Sequence, residues 1–303
     1  MQGSEAEIIT ITRNRPLLLL QFIKRIRELE PSVPLLIIDN ASTPTCKGFV
    51  ANQIHNIPRV RFLSLRRNIF SLARNIGGRM TQSKVLFFLD DDVCPLTPFV
   101  ERTLRLFDQD QALALVAFDV FDVHSKRMLT SRLQENPITF HDAAFAVRKR
   151  IWDETGGFQK QYPARGLVAD FSIRLLSQGY RIHHDKKTVF LHLGKRRLGG
   201  TRLHRLWKLP ALFGFTLKYF NIGTSLRFCL QAALGVCVIS FIEGWLEEYT
   251  VSLILALKSA LRALAEKSAA PTQVQNLYKQ GKEIRVMCAP FLENIKKVLS
   301  KLL

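Results

Sequence analysis

The sequence predicts an α/β fold in which a mostly parallel sheet is flanked by helices, and three observations predict it. Short runs of Ile, Leu, Val and Phe alternate with segments of helical apolar spacing through the first two-thirds of the chain. Three of those runs stop at polar residues: Thr12, Asp39 and the triplet Asp90-Asp91-Asp92. The chain has 303 residues, 47% apolar and 23% charged, which suits one or two folded domains with a well-buried core.

Ile8 to Thr12 reads as a first strand, ending in Thr12-Arg13-Asn14-Arg15-Pro16. Proline opens a helix without cost because the first helical N–H has no partner anyway, and Leu17 to Leu29 carries helical apolar spacing. PLLIIDN (34–40) is continuously apolar up to Asp39, as expected of a strand covered on both faces. RVRFLSL (59–65) alternates and gives a third strand, Ser71 to Met80 a helix, and Lys84 to Leu89 a fourth strand that delivers the aspartates. In parallel α/β sheets ligands collect beyond the carboxyl ends of the strands, so Thr12, Asp39 and Asp90 to Asp92 should converge on one cleft. Further on, Ala112 to Val123 reads as a strand, Ala143 to Val147 as an apolar run, and Gly156-Gly157 as a turn. Asp170 opens a short helix closed by Gly179, and TVFLHL (188–193) is a last strand carrying His192.

Beyond about residue 200 the character changes, so the expected division is a domain over 1–204 and a helical, basic, amphipathic region over 205–303. Ser225 to Leu246 is strongly apolar. Its uncharged stretch between Arg227 and Glu243 is only 15 residues, short of the roughly 20 a spanning helix needs, so it reads as buried or half-inserted. Leu253, Ile254, Leu257, Leu261 and Leu264 share one helical face. Past Pro290 a second apolar face, including Phe291, Ile295 and Leu299, stands opposite Lys296, Lys297 and Lys301. Such helices lie in membrane interfaces or pack on a core.

The balance of 44 Lys+Arg against 25 Asp+Glu leaves a net charge of +19, and +11 of it falls in residues 195–303, where 17 Lys+Arg meet 6 Asp+Glu. That excess favours polyanions: nucleic acid, an anionic membrane surface or phosphorylated substrates. No zinc pattern, aromatic RNA-binding motif or helix-turn-helix signature supports nucleic acid as the partner. Five scattered cysteines without a CxxC pair fit a reduced, cytoplasmic setting, and MQGSEAE runs into a strand without a signal-peptide pattern.

Three adjacent carboxylates at a strand exit repel one another unless a cation answers them. Asp90 and Asp92 supply hard oxygen ligands of the kind Mg²⁺ or Mn²⁺ takes together with phosphate oxygens. Phosphotransferases of the haloacid dehalogenase type also place Asp-x-Asp after a strand, but with Thr or Val where this chain has Cys94.

Six blocks, in order, make the chain similar to family 2 glycosyltransferases of the GT-A fold over about residues 6–200: TRNRP (12–16), IIDNAST (37–43), SLARNIGGRM (71–80), FLDDDVCP (88–95), AAFAVRKRIWDETGGF (143–158) and TVFLHLG (188–194). The resemblance implies a nucleoside-diphosphate sugar donor bound by Thr12, Arg15, Asp39, Arg74, Asp90 and Asp91. It implies a metal held by Asp90 and Asp92 with His192, and inversion at the anomeric carbon. Asp39 suits a pyrimidine, hence UDP or dTDP. One departure matters: in the register fixed by Arg174 and Gly179, the family's catalytic aspartate falls at Val168 and its preceding acid at Leu167. Asp170, two residues on, is then the candidate base, unless the base comes from elsewhere or activity is lost. With the basic last third, the expectation is transfer to a lipid-linked or cell-envelope glycan by a protein held peripherally on the inner face of the cell membrane. The alternative is a degenerate relative that binds nucleotide sugar or glycan without transfer.

Overall fold

A computed structural model of the chain describes residues 4–162, 166–194 and 202–280. The chain divides into two compact units, Met1–Pro163 with Gln178–Arg196, and Ala164–Ser177 with Arg197–Leu303. The Lys195-Arg196-Arg197 run and the basic apolar face past Pro290 lie outside the described residues.

The first unit opens with β1 (Ala6–Thr12), α1 (Pro16–Leu29), β2 (Leu35–Asp39), α2 (Pro44–Ile54) and β3 (Val60–Ser64). A 3-10 turn (Phe70–Leu72) leads into α3 (Ala73–Met80), then β4 (Val85–Asp90), β5 (Val93–Pro95), α4 (Val100–Gln109), β6 (Leu113–Asp122), β7 (Arg127–Met128), β8 (Ala144–Arg148) and α5 (Lys149–Thr155). After α6 (Leu167–Ser177), which belongs to the second unit, β9 (Arg181–His192) returns to the sheet. The strand order is β3-β2-β1-β4-β8-β6-β9-β5, with β7 on β6. β3, β2, β1 and β4 run parallel, and β6 pairs parallel with β9. β8 is antiparallel to β4 and β6, and β5 antiparallel to β9, so the sheet is mixed.

β1, β2 and β4 are central, and nearly every residue on them is buried because such strands are covered on both faces. β3, whose sequence alternates, is the edge. Neighbouring residues on β4 point to opposite faces. Phe87 packs with Phe99 and Phe118 over the α1 residues Leu19, Phe22 and Ile26, while Phe88 lies 4.6 Å from the Trp152 ring. The chain steps from β1 to β2 and β3 on one side and then to β4 on the other. That reversal opens a crevice at the carboxyl ends of β1 and β4.

Several elements differ from the expectation. α2 was not foreseen because only Val50 and Ile54 on it are buried. α4 is short, and its first N–H groups, at Phe99 and Val100, are capped by Glu30 Oε1 from a distant part of the chain at 2.6 and 2.9 Å. β9 begins at Arg181, well before Thr188, because its charged first half pairs with β6 across a register shift at Phe118/Asp119. α6 begins at Leu167, so Asp170 lies inside its first turn rather than at its start.

The second unit is helical: α6, α7 (Arg202–Leu206), α8 (Lys208–Tyr219), α9 (Ile222–Ile242), α10 (Leu246–Ala265) and α11 (Thr272–Gln280). α8 is buried along nearly its whole length and is the centre on which α9 and α10 pack through Leu212, Phe213, Val236, Ile239 and Ala256. α9 is the one helix among the described residues long and apolar enough to cross a membrane by length and composition. On α10 the small residues Ser252, Ala256 and Ala263 face inward, and Ile254, Leu257, Leu261 and Leu264 are exposed.

α3 reaches the sheet only because it carries Gly77-Gly78. A Cβ at 77 would stand 2.6 Å from Ile9 Cγ2, and one at 78 would stand 2.3 Å from Trp152 Nε1. Gly78→Ala should therefore lower stability by about 1–3 kcal/mol through overpacking. Gly48→Ala on α2, where nothing lies within 4 Å, should be neutral or stabilising by up to about 1 kcal/mol. Urea unfolding midpoints of the two variants read the contrast.

Candidate active site

The sheet register brings three predicted residues to one edge. Thr12 is paired with Asp39 across β1 and β2, and Asp90 stands opposite Ile11 across β1 and β4. Thr12 Oγ1 donates to Asp91 Oδ2 at 2.6 Å, bridging the crevice between the first and fourth strands.

Two guanidinium groups answer the acidic triplet. Arg15 Nη1 donates to Asp91 Oδ1 at 3.2 Å and to Asp92 Oδ2 at 2.8 Å, and its side chain is 50% exposed. Arg74, which is buried, donates to Asp90 Oδ1 at 2.5 Å and to the Asp142 carbonyl at 3.1 Å. Burial pushes the Asp91 carboxyl up to about 6 despite the Thr12 hydrogen bond and the Arg15 charge, and repulsion from Asp92 adds to the rise. Asp90 keeps 35% of its side chain exposed at the mouth of the crevice. Enclosure by protein still raises it well above the ordinary carboxylate range against the pull of Arg74, with Asp92, Asp142 and Asp91 adding repulsion.

Asp92 and His192 complete the cluster. β9 delivers His192 directly beside β5, in register with Val93, and its Nε2 lies 3.7 Å from Asp92 Oδ1, too far for a hydrogen bond. Asp92 Oδ1 and His192 Nδ1 are buried without a hydrogen-bond partner. A buried carboxylate oxygen with nothing to accept from is costly, and a cation would satisfy it. Among the described residues no three His, Cys, Asp or Glu side chains form a ready-made metal cage. A Mg²⁺ or Mn²⁺ site completed by phosphate oxygens needs only one or two carboxylates, and the free Asp92 oxygen is a ligand of that kind.

The loops around the triplet are held by residues that the sequence reading passed over. Asn14, Ala41 and Phe70, three of the five non-glycine residues with positive φ among those described, occupy loops at this edge at φ 54°, 62° and 53°. Each such backbone costs on the order of 1–3 kcal/mol and persists only where its surroundings enforce it. The Thr43 N–H donates to Asn14 Oδ1 and the Asn14 N–H to Ser42 Oγ, both at 2.8 Å. Asn40 accepts from the Ile69 N–H and donates to the Phe70 carbonyl, fixing the turn that launches Arg74. Asn75 clasps Phe158 through both its N–H, at 2.9 Å, and its carbonyl, at 2.7 Å. Gly157 must stay small there, since a Cβ would meet Asn75 Oδ1 at 2.5 Å. A partial signal for these roles was their place in the quoted blocks; the bonds themselves join segments far apart in the chain.

Asp39 is 1% exposed and accepts from the Ser42 N–H and from Ser64 Oγ at 2.8 Å, so its visible work is to close the turn after β2. Asp170, in the second unit, is 0% exposed. Its Oδ2 accepts from Arg174 Nε at 2.9 Å and its Oδ1 from the Tyr219 hydroxyl at 2.7 Å. It is a buried ion-pair partner one helical turn from Arg174, not a helix cap.

A mixed sheet of this order with an acidic triplet at its fourth strand is the GT-A fold of nucleotide-sugar transferases. Solved structures that share it include three with bound nucleotide or nucleotide sugar. TarS 1–349 of S. aureus, in complex with UDP-GlcNAc, superposes with a TM-score of 0.64 at 12% identity, over 97% of this chain and 92% of that one. The mannosyltransferase PcManGT of Pyrobaculum calidifontis, in complex with GDP-Man and Mn²⁺, gives 0.58 at 15% identity, over 100% and 88%. GalNAc-T7 with UDP, GalNAc and Mn²⁺ gives 0.60 at 12%, over 88% and 58%. Residues 7–174 match the family described as glycosyl transferase family 2, and the chain belongs to that family. No curated protein matches it in sequence.

Gly194 approaches Asp92 so closely that a Cβ would stand 2.1 Å from Asp92 Oδ2, and the Leu193 N–H donates to the Asp92 carbonyl at 2.7 Å. Gly194→Ala should turn the Asp92 carboxylate aside and weaken Mn²⁺ binding by about tenfold or more, the scale of outer-contact effects on metal affinity. Titration of Mn²⁺ by its paramagnetic resonance signal, alongside a melting curve that stays within a few degrees of the parent (roughly 1 kcal/mol), reads this effect.

Proposed function

We propose that the protein is an inverting glycosyltransferase that takes a sugar from a UDP- or dTDP-linked donor and passes it to a hydroxyl of a lipid-linked or cell-envelope glycan, working from the cytoplasmic face of the membrane. The observation that carries this reading is the acidic triplet at the β1/β4 crevice, flanked by Arg15 and Arg74 and leaving a buried Asp92 oxygen without a partner.

In this reading Asp39 and Thr12 line the nucleotide end. The half-exposed Arg15 exchanges carboxylate for diphosphate oxygens, a match its planar fork makes well. Arg74, enclosed and tied to both Asp90 and the Asp142 carbonyl, keeps Asp90 oriented. Asp90, Asp92 and His192 would hold Mn²⁺ or Mg²⁺, whose contribution when bound is Lewis-acid stabilisation of negative charge on the leaving diphosphate. The acceptor hydroxyl attacks the anomeric carbon in line while a carboxylate takes its proton, and a single displacement of that kind inverts the centre. Asp170 is the carboxylate that the segment retains for this task. To act, it has to trade Tyr219 or Arg174 for the acceptor hydroxyl.

That same burial favours a second reading. With Leu167 and Val168 aliphatic and Asp170 fully enclosed, the protein binds nucleotide sugar or glycan without transfer.

One experiment separates them. Nucleotide sugars are screened for thermal stabilisation with and without Mn²⁺, and donors that bind are assayed for transfer and hydrolysis. A ligand held only by the folded state at 100 times its Kd raises stability by about 2.7 kcal/mol. Asp92→Ala should abolish the Mn²⁺-dependent part of that rise. Asp170→Asn should leave donor binding intact and lower turnover by about 10²-fold or more if it is the base. Donor binding without turnover in the parent protein selects the second reading, and no Mn²⁺-dependent donor binding refutes the transferase reading.

A further inference from the structure

We propose that the outward faces of α9 and α10 form one apolar plate that lies flat in the interface of an anionic lipid bilayer. This deepens the membrane-facing part of the reading above, on which it rests, by naming the surface and its orientation.

α9 is apolar on most of its surface, yet only one of its faces is covered. Cys229, Ala232, Val236 and Ile239 pack into the helical core, while Leu226, Leu230, Leu234 and Phe241 make a stripe on the opposite side, with Phe241 77% exposed. Arg227 and Gln231 are the only polar side chains at exposed positions of α9. α10 continues the surface with Ile254, Leu257 and Leu261, the last 70% exposed. Single exposed leucines are ordinary, but stripes running along two successive helices of 21 and 20 residues, about 30 Å each at 1.5 Å per residue, mark an interaction site.

Charge selects the occupant. Lys258, Arg262 and Arg227 stand exposed beside the leucines, where their stems can lie along apolar surface and their heads reach lipid phosphates. The acids stand only at the helix ends: Glu243 closes α9, Glu247 and Glu248 fall in the first turn of α10, the latter 3.7 Å from Arg202, and Glu266 follows α10, so between those ends the charged side chains are all basic. A second copy carries the same net charge of +19, whereas an anionic leaflet brings the opposite. Crossing the bilayer is disfavoured because the inner face of α9 is already packed against α8 and α10, and α10 would carry Lys258 and Arg262 into hydrocarbon with it.

The test uses the full chain and vesicles of phosphatidylcholine with or without phosphatidylglycerol, read by co-sedimentation. The wild type should partition onto the anionic vesicles. The triple variant L230Q/L234Q/F241Q, altered only at exposed positions, should lose about tenfold or more in partitioning while keeping its melting temperature and its Mn²⁺-dependent donor binding. R227Q/K258Q/R262Q should lose the phosphatidylglycerol-dependent part, about fivefold per residue. A Phe241→Trp variant should be quenched by lipids brominated near the headgroup more than by those brominated at the chain ends. Equal partitioning of wild type and the leucine variant, or no vesicle binding by the wild type, overturns the proposal. So does a dimer in solution that the leucine substitutions split while vesicles go unbound, because the plate then belongs to a second copy. No arm needs turnover, so failure of the transferase reading shows in the donor measurements and failure of this one in the vesicles.

Discussion

Mutual repulsion of three carboxylates, delivered to one point by β4, is the constraint to which the first unit is built. Asp90, Asp91 and Asp92 emerge where the sheet changes direction, and the polypeptide answers them from the end of β1, the loop after it and α3. Arg15 comes from the loop after β1, Arg74 from α3, and Thr12 supplies a hydroxyl. Burial nonetheless leaves Asp90 and Asp91 with raised carboxyls, so the protein alone does not fully compensate its own charge. A site in that condition favours a guest that brings positive charge.

Much of the surrounding architecture serves to hold those answering groups still. α3 sits hard against Ile9 and Trp152 because Gly77 and Gly78 carry no side chain. Asn40 ties the turn before it, and Asn75 ties the Phe158 backbone behind it. The left-handed backbones at Asn14, Ala41 and Phe70 are the cost of bending three loops around one crevice.

The strand ends at Thr12, Asp39 and Asp90 were legible because continuous apolar runs terminate visibly, and parallel strands place such ends together. The resemblance to family 2 glycosyltransferases added Arg15, Arg74 and His192, and the family match bears out that assignment of the chain. Strand direction was not legible: β8 reads like any buried strand, yet runs antiparallel between β4 and β6. α4 depends on a cap from Glu30 that only the folded chain brings near. Asp170 illustrates the sharper limit. The sequence places a carboxylate near the position where the resemblance calls for a base, but only the fold shows Arg174 and Tyr219 occupying both its oxygens. The apolar face of α10 was visible, but not that Ile254, Leu257, Leu261 and Leu264 turn outward while Leu253 packs on the core.

We propose that Asp90, Asp92 and His192 bind a divalent cation that in turn holds the diphosphate of a sugar nucleotide. Crystals grown with Mn²⁺ and a nucleoside diphosphate, with diffraction data collected at an energy where manganese scatters anomalously, test it most directly. One strong anomalous peak is expected, bonded to the Asp92 carboxylate and to diphosphate oxygens, with Arg15 turned from the aspartates toward phosphate. Diphosphate bound with no manganese at this corner, and Arg15 still paired to Asp91 and Asp92, would contradict it.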